Sequence, residues 1–209
     1  MKGIFIAFEG GEGSGKTTQI RLLGEHLQRQ GRKVLVTKEP GGDEGICKNI
    51  RSLLLDPRFK DEMDHRAELL LFLADRAQHV SRVLMPALER GEIVLCDRFV
   101  ASTFAYQYFA RNIADFPTIQ ILNHFGSQGL LPRITFFLDI DPVTGINRKA
   151  MEGLSRIDDE GKRFHERVRQ GFIEFFHRTH WPCIRLDAQK SIEEIQKSIQ
   201  IEAAKLLTD

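Results

Sequence analysis

The stretch Gly10-Gly11-Glu12-Gly13-Ser14-Gly15-Lys16-Thr17-Thr18 constrains this chain more than any other feature. It satisfies G-x-x-x-x-G-K-[ST], and its flanks are those the pattern requires. Ile4-Phe5-Ile6-Ala7-Phe8 before it is short and apolar, as a buried strand would be. After it, Ile20, Leu22, Leu23 and Leu27 recur at helical spacing from Thr17 to about Gln30, and Gly31 supplies a stop. Glycines let backbone amides approach a polyphosphate without Cβ clashes, and the helix N-terminus adds unsatisfied N–H groups and a positive dipole end. In that arrangement Lys16 reaches the β and γ oxygens, and the Thr17 hydroxyl ligates Mg²⁺. A glycine-rich turn without function would need neither the strand before it nor the helix after it. The nine residues are therefore expected to hold a nucleoside triphosphate.

At 209 residues the chain suits one domain, 1–209, large enough to bury a real core. Apolar residues at 42% and charged residues at 28% lie near the globular average, which argues against disorder. A net charge of +1 argues against binding nucleic acid through bulk electrostatics. Cys47, Cys96 and Cys183 are odd in number and scattered, which suits a reducing cytoplasm. No apolar segment is long enough to span a membrane, and the N-terminus lacks the form of a signal peptide. The expectation is a cytoplasmic protein with neither a nucleic-acid nor a membrane partner.

No repeat or linker divides the chain. Strands are expected at Ile4–Phe8, Lys33–Thr37, Ile93–Cys96, Ile134–Leu138 and Cys183–Leu186. Helices are expected over Thr17 to Gln30, Ile46 to Leu55, Asp64 to Arg90, Ser102 to Arg111 and Pro117 to Phe125. Three more follow, from Asp141-Pro142 toward Met151, from Phe164 to about His180, and from Ile192 to Leu207. Pro86 should kink or split the long 64–90 helix. Such alternation implies an α/β fold, a five-stranded parallel sheet covered on both faces. Ligands then sit beyond the C-terminal strand ends, where Gly10, Glu39, Asp97 and Asp139 all fall and should converge in one cleft.

A phosphate-binding loop alone does not separate kinases, GTPases and other nucleotide-driven proteins. The guanine-reading N-K-x-D is absent, and Asp158-Asp159-Glu160-Gly161, which matches D-x-x-G, follows no apolar strand. A kinase is better supported. Asp97-Arg98 sets a carboxylate, able to hold Mg²⁺ through water, beside a guanidinium that can clamp a phosphate. Each of Arg51, Arg76, Arg98, Arg148 and Arg156 taken alone reads as a solvated charge. Together, beside a nucleotide loop, they read as a clamp on two phosphorylated substrates.

Glu39-Pro40-Gly41-Gly42, Arg51-Ser52-Leu53-Leu54-Leu55, Leu71-Phe72-Leu73-Ala74-Asp75-Arg76-Ala77-Gln78, Asp97-Arg98 and Ser102-Thr103-Phe104-Ala105-Tyr106-Gln107 follow the phosphate loop in order. This set resembles the thymidylate kinases, P-loop nucleoside monophosphate kinases, from residue 3 to about 158. Leu186-Asp187-Ala188 is similar to the family's adenine-side loop. The resemblance implies a P-loop NTPase fold with a small mobile lid at about 148–161, ATP and thymidine monophosphate (dTMP) as substrates, Mg²⁺ with the ATP, and a homodimer. The implied reaction moves the γ-phosphoryl group of ATP to the 5′-phosphate of dTMP. A monophosphate is already largely ionised near neutral pH, its second pKa being about 6, so the nucleophile needs no strong base. What remains is to align two repelling anions and neutralise the transferring charge.

Roles follow from the resemblance, residue by residue. Arg51 and Arg98 clamp the monophosphate, and Glu39 and Pro40 shape its loop. Phe72 stacks on the base, Arg76 binds a base oxygen, and Thr103 and Gln107 read the base edge. Glu12 contacts the acceptor sugar. Lys16, Arg98, Arg156 and Arg148 serve catalysis, and Thr17 and Asp97 hold the metal. Relatives with an arginine in the phosphate loop supply charge from there; here Ser14 fills that slot, so the charge should come from the lid, from Arg156 and also Arg148. The chain departs from the family at Tyr108 and Phe109, where a glycine-rich turn is usual, leaving open a broader or different monophosphate specificity. It departs also at Ser155 and Arg133, where acidic residues are common. His177, His180 and Cys183 have ligand-like spacing but no fourth ligand, and no metal is expected there.

Overall fold

The structure is a computed structural model describing residues 3–43, 45–150, 155–157 and 160–207. Asp158 and Asp159 of the D-x-x-G match, and 151–154 of the expected lid, lie outside the described residues.

Five strands form one sheet: β1 (Ile4–Glu9), β2 (Val34–Lys38), β3 (Ile93–Asp97), β4 (Ile134–Asp139) and β5 (Cys183–Asp187). Their order is β2-β3-β1-β4-β5, and every pairing is parallel. From β1 the chain runs to the edge strand β2, returns to β3 beside β1, and then crosses to β4 and β5 on the other side, so the direction of winding changes at β1. That reversal opens a crevice at its C-terminal end. Register brings the carboxyl ends together, pairing Phe8 and Lys38 with Asp97, and Asp139 with Asp187.

Both faces of the sheet are covered, which is why the strands read as continuous apolar runs. Ile6 and Phe8 pack with Ile20, Leu23 and Leu27 of α1 (Lys16–Arg29) and Ile195 and Ile199 of α9 (Ile192–Leu206). Phe5 and Ala7, one residue out of phase, face the other side with Val80, Leu84 and Phe99. A third cluster packs Phe137 of β4 against Phe104, Phe172 and Phe175 beneath the acceptor side of the cleft.

α2 (Ile46–Leu55) and α6 (Phe116–Ser127) lie close to expectation, as do α7 (Pro142–Ala150) and α8 (Lys162–Thr179). Two regions differ from simple helices. The expected 64–90 helix is α3 (His65–His79), a π turn over Val80–Leu84, and α4 (Met85–Glu89), with Pro86 in the first turn of α4. The wider π turn lets the chain pass the proline, whose ring would clash in an unbroken α-helical ladder. The expected 102–111 helix is the short α5 (Val100–Thr103) followed by π-helical Phe104–Ala110.

Candidate active site

The phosphate loop joins β1 to α1. Gly13 has φ 62, and a Cβ there would stand 1.9 Å from the Gly145 carbonyl oxygen, so only glycine fits. Lys16 is buried, and its Nζ donates to the Gly10 and Gly11 carbonyls at 3.1 and 2.9 Å. Burial and the nearby Arg98 cation lower its pKa. Thr17 Oγ1 donates to Asp97 Oδ2 at 3.0 Å. The two expected metal ligands therefore meet across the crevice. A hydroxyl and a carboxylate are hard oxygen donors of the kind Mg²⁺ takes alongside substrate phosphates and water, so this pair fits the ion.

Beside the loop lies a cavity of about 340 Å³. All nine expected acceptor residues line it: Glu12, Glu39, Pro40, Arg51, Phe72, Arg76, Arg98, Thr103 and Gln107. Ser102, Tyr106, Leu55, Lys149, Ser155 and Ile157, to which no role was given, complete the lining. Tyr106 stood in the motif without a role; its hydroxyl donates to Glu12 at 2.9 Å and its ring lies 5.1 Å from the Arg98 guanidinium. Tyr108 and Phe109 are not among the lining residues. Tyr108 packs against Phe104 and Phe116 instead, so the departure from the family pattern does not narrow the pocket.

The Glu39–Pro40 peptide is cis, and Pro40 accepts from Arg51 Nη1 at 2.7 Å. Gly41, at φ 95, leaves room for the Arg51 side chain, which a Cβ would approach to 2.5 Å. Asp75 fixes this turn by accepting the Gly41 N–H at 2.9 Å. Burial pushes the Asp75 carboxyl up to about 6, helped by the neighbouring Glu39.

Arg76 is almost fully buried. Its Nε donates to Glu39 at 2.8 Å, Nη1 to Thr103 at 2.8 Å and to Asn123, and Nη2 to the Phe99 carbonyl at 3.0 Å. Among the described residues these four bonds leave one N–H on Nη2 uncommitted. His79, wholly buried, completes the support between Glu39 at 3.0 Å and Thr37 at 2.7 Å. Burial alone would raise the Glu39 carboxyl, but Arg76 and His79 more than offset it and hold it below its ordinary value.

Arg98 sits at φ 73, donates to the Gly10 carbonyl at 2.9 Å and pairs with Glu12. One guanidinium thus touches both the phosphate loop and the acceptor cavity.

The two lid arginines are placed differently from a pair poised over the loop. Arg156, only 1% exposed, donates to Glu68 at 2.6 Å and to the Leu54 carbonyl at 2.9 Å. Any role over the γ-phosphate would require it to leave both partners. Arg148 is exposed and donates to Ala188 at 3.2 Å, in the expected adenine-side loop. Asp139 is engaged by Arg169 at 2.6 Å and Arg185 at 2.5 Å and lies beside Gly11 and Glu12 of the phosphate loop, outside the acceptor cavity.

Glu68 was not anticipated. It accepts from Gln107 at 3.1 Å, from Arg111 at 3.3 Å and from Arg156, which joins the cavity wall at Gln107 to the 155–157 segment. Its place on α3, one helical turn before Phe72, was the available signal.

A family model described as Thymidylate kinase matches residues 8–199. The thymidylate kinase of Geobacillus sp. (strain WCH70) is 43% identical over 198 residues, covering 93% of each chain. That of Trichormus variabilis is 45% identical over 202 residues, covering 96% of this chain and 95% of the relative. The crystal structure of thymidylate kinase from Ehrlichia chaffeensis shares 33% identity and superposes with a TM-score of 0.76 over the whole of both chains. With a family model over residues 8–199 and relatives above 40% identity across nearly the whole chain, the chain belongs to the thymidylate kinase family.

Proposed function

We propose that this protein transfers the γ-phosphoryl group of ATP to the 5′-phosphate of dTMP, giving the diphosphate needed for dTTP synthesis. The observation that carries this reading is Arg98, bonded to the Gly10 carbonyl of the donor loop and facing the acceptor cavity. Donor and acceptor phosphates meeting across that guanidinium would be in line for direct transfer.

Gly10 to Thr18 hold the ATP phosphates, with Lys16 turned from the Gly10 and Gly11 carbonyls toward the β and γ oxygens. Mg²⁺ bound at Thr17 and Asp97 would neutralise charge on those phosphates. Arg51 and Arg98 grip the acceptor phosphate, whose dianion attacks without a protein base. Glu12 contacts the acceptor sugar from its bonds to Arg98 and Tyr106. Phe72 stacks on thymine, Gln107 and Thr103 read its edge, and the free Nη2 proton of Arg76 meets a base oxygen. Arg148, exposed at the end of α7, supplies charge to the transferring group, and Arg156 braces the lid against Glu68.

The working form is a cytoplasmic homodimer of single-domain subunits, 1–209. Leu70 on α3 and Ile121 and Phe125 on α6 are 58%, 69% and 81% exposed, and these two helices pack together, so a second copy would cover them. No helix among the described residues is long and apolar enough to cross a membrane.

A coupled assay with ATP, Mg²⁺ and a panel of monophosphates tests the reading. Diphosphate formation with dTMP far above the other acceptors supports it. Equal rates across the panel, or hydrolysis indifferent to the acceptor, would refute it.

A further inference from the structure

Glu9, the last residue of β1, is 1% exposed and is not among the residues that line the acceptor cavity. Its carboxylate is nevertheless fully engaged. Oε1 accepts the backbone N–H groups of Phe99 at 2.9 Å and Ser102 at 3.2 Å, and Oε2 accepts the Ser102 hydroxyl at 2.6 Å. Phe99 is the N-cap of α5 and offers no side-chain cap, so Glu9 does from β1 what a capping box does locally. The residue just before that cap is Arg98, on left-handed backbone at φ 73. Ser102 Oγ in turn accepts from Arg98 Nη1 at 3.3 Å.

We propose that Glu9, acting through Ser102 and the Phe99 amide, is a positioning residue that sets the Arg98 guanidinium against the acceptor phosphate. The inference rests on the kinase reading above. An ionised carboxylate only accepts hydrogen bonds, so it compels the Ser102 hydroxyl to donate toward Glu9. The Ser102 lone pairs then face Arg98. A glutamine, or a protonated Glu9, presents a donor to Ser102 and turns its proton toward the guanidinium. The strand that feeds the donor loop thereby also fixes the acceptor clamp.

Burial pushes the Glu9 carboxyl up to about 7, against the pull of the Ser102 hydroxyl, the Arg98 cation and the two amides. Lys16 also faces it, as do the Cys96 thiol on β3 and the Cys183 thiol on β5, both shifted upward by burial and hence neutral. The clamp should accordingly loosen as pH falls through that value.

Glu9→Gln assayed at pH 8 is expected to raise KM for dTMP about tenfold, the scale of one lost charge-assisted bond, with KM for ATP changed less than about twofold. In wild type, KM for dTMP should rise toward pH 6 more steeply than the substrate's own ionisation accounts for; in Glu9→Gln that excess disappears. In an Arg98→Lys background the Glu9→Gln change should cost less than about twofold more, because both act on one contact. A wild-type KM for dTMP in Glu9→Gln at pH 8, or full multiplication of the two effects, would overturn the proposal. Should Glu9→Gln not fold, Ser102→Ala decides the matter: a rise in KM for dTMP alone supports it, and no rise overturns it. Wild-type protein that fails to phosphorylate dTMP would sink the kinase reading itself, an outcome the variants cannot imitate.

Discussion

Arg76 and Arg156 are both buried guanidiniums, and their surroundings assign them different work. Arg76 keeps one donor free at the wall of a cavity, whereas Arg156 ends on Glu68 and a carbonyl. Arg156→Ala should lower stability by about 2–3 kcal/mol, somewhat less than a buried pair usually loses because Arg111 still faces Glu68; a urea midpoint measures this. Arg148→Ala, made on an exposed side chain, should leave the unfolding midpoint unchanged and lower kcat more than about threefold, the minimum expected of a group that stabilises transition-state charge. A stable Arg156→Ala protein, or an Arg148→Ala enzyme with full turnover, would reverse the two roles. Phe72→Ala should raise KM for dTMP about tenfold or more while leaving KM for ATP nearly intact, as loss of a stacked ring on a base predicts. At this scale the sequence showed the groups that line the cavity, because they sit in compact motifs. It did not show their supports. Arg76 meets Glu39 across 37 residues, Arg156 meets Glu68 across 88, and Glu9 meets Ser102 across 93, and no local pattern announces such pairs.

Elements were legible where one period ran unbroken. β1, α1, α2 and α9 lie within a residue or so of their expected bounds, since apolar spacing and, at Gly31, a glycine stop agree. Ser191 caps α9 with a reciprocal bond to Glu194, so Ser191→Ala should cost about 1 kcal/mol in a denaturation curve with no change in KM for either substrate. The π turns at Val80–Leu84 and Phe104–Ala110 were not legible, because one extra residue per turn shifts the phase without breaking the apolar pattern. The second of them carries Tyr106 and Gln107 to the cavity, so the misread segment is the one that shapes the site.

The whole molecule carries opposing titrations. Burial of Glu39, Glu68 and Asp139 is outweighed by their arginine and histidine partners, and all three fall below their ordinary values. Their contribution is present above the unfolded carboxylate pKa and lost as acid protonates the folded form. Glu9 and Asp75 are raised, to about 7 and about 6. Between about pH 4.5 and 7 the folded state then holds more protons than the unfolded one, so their contribution is lost as pH rises through that window. Glu9→Gln should remove most of the decline that Glu9 causes, at most about 3 kcal/mol, giving a Tm profile flatter than wild type from pH 5 to 8. Parallel profiles would contradict the burial argument. The parallel five-stranded sheet and a cleft beyond its C-terminal strand ends were legible as a class of fold, whereas the strand order and the division of the arginines between cavity wall and core required the third dimension. Two guanidiniums, Arg51 and Arg98, line the cavity beside the phosphate loop and carry the proposed transfer. A crystal structure of the protein with ADP and dTMP bound measures this directly: Arg51 and Arg98 should both lie within hydrogen-bonding distance of the acceptor phosphate, and both turned away from it would contradict the account.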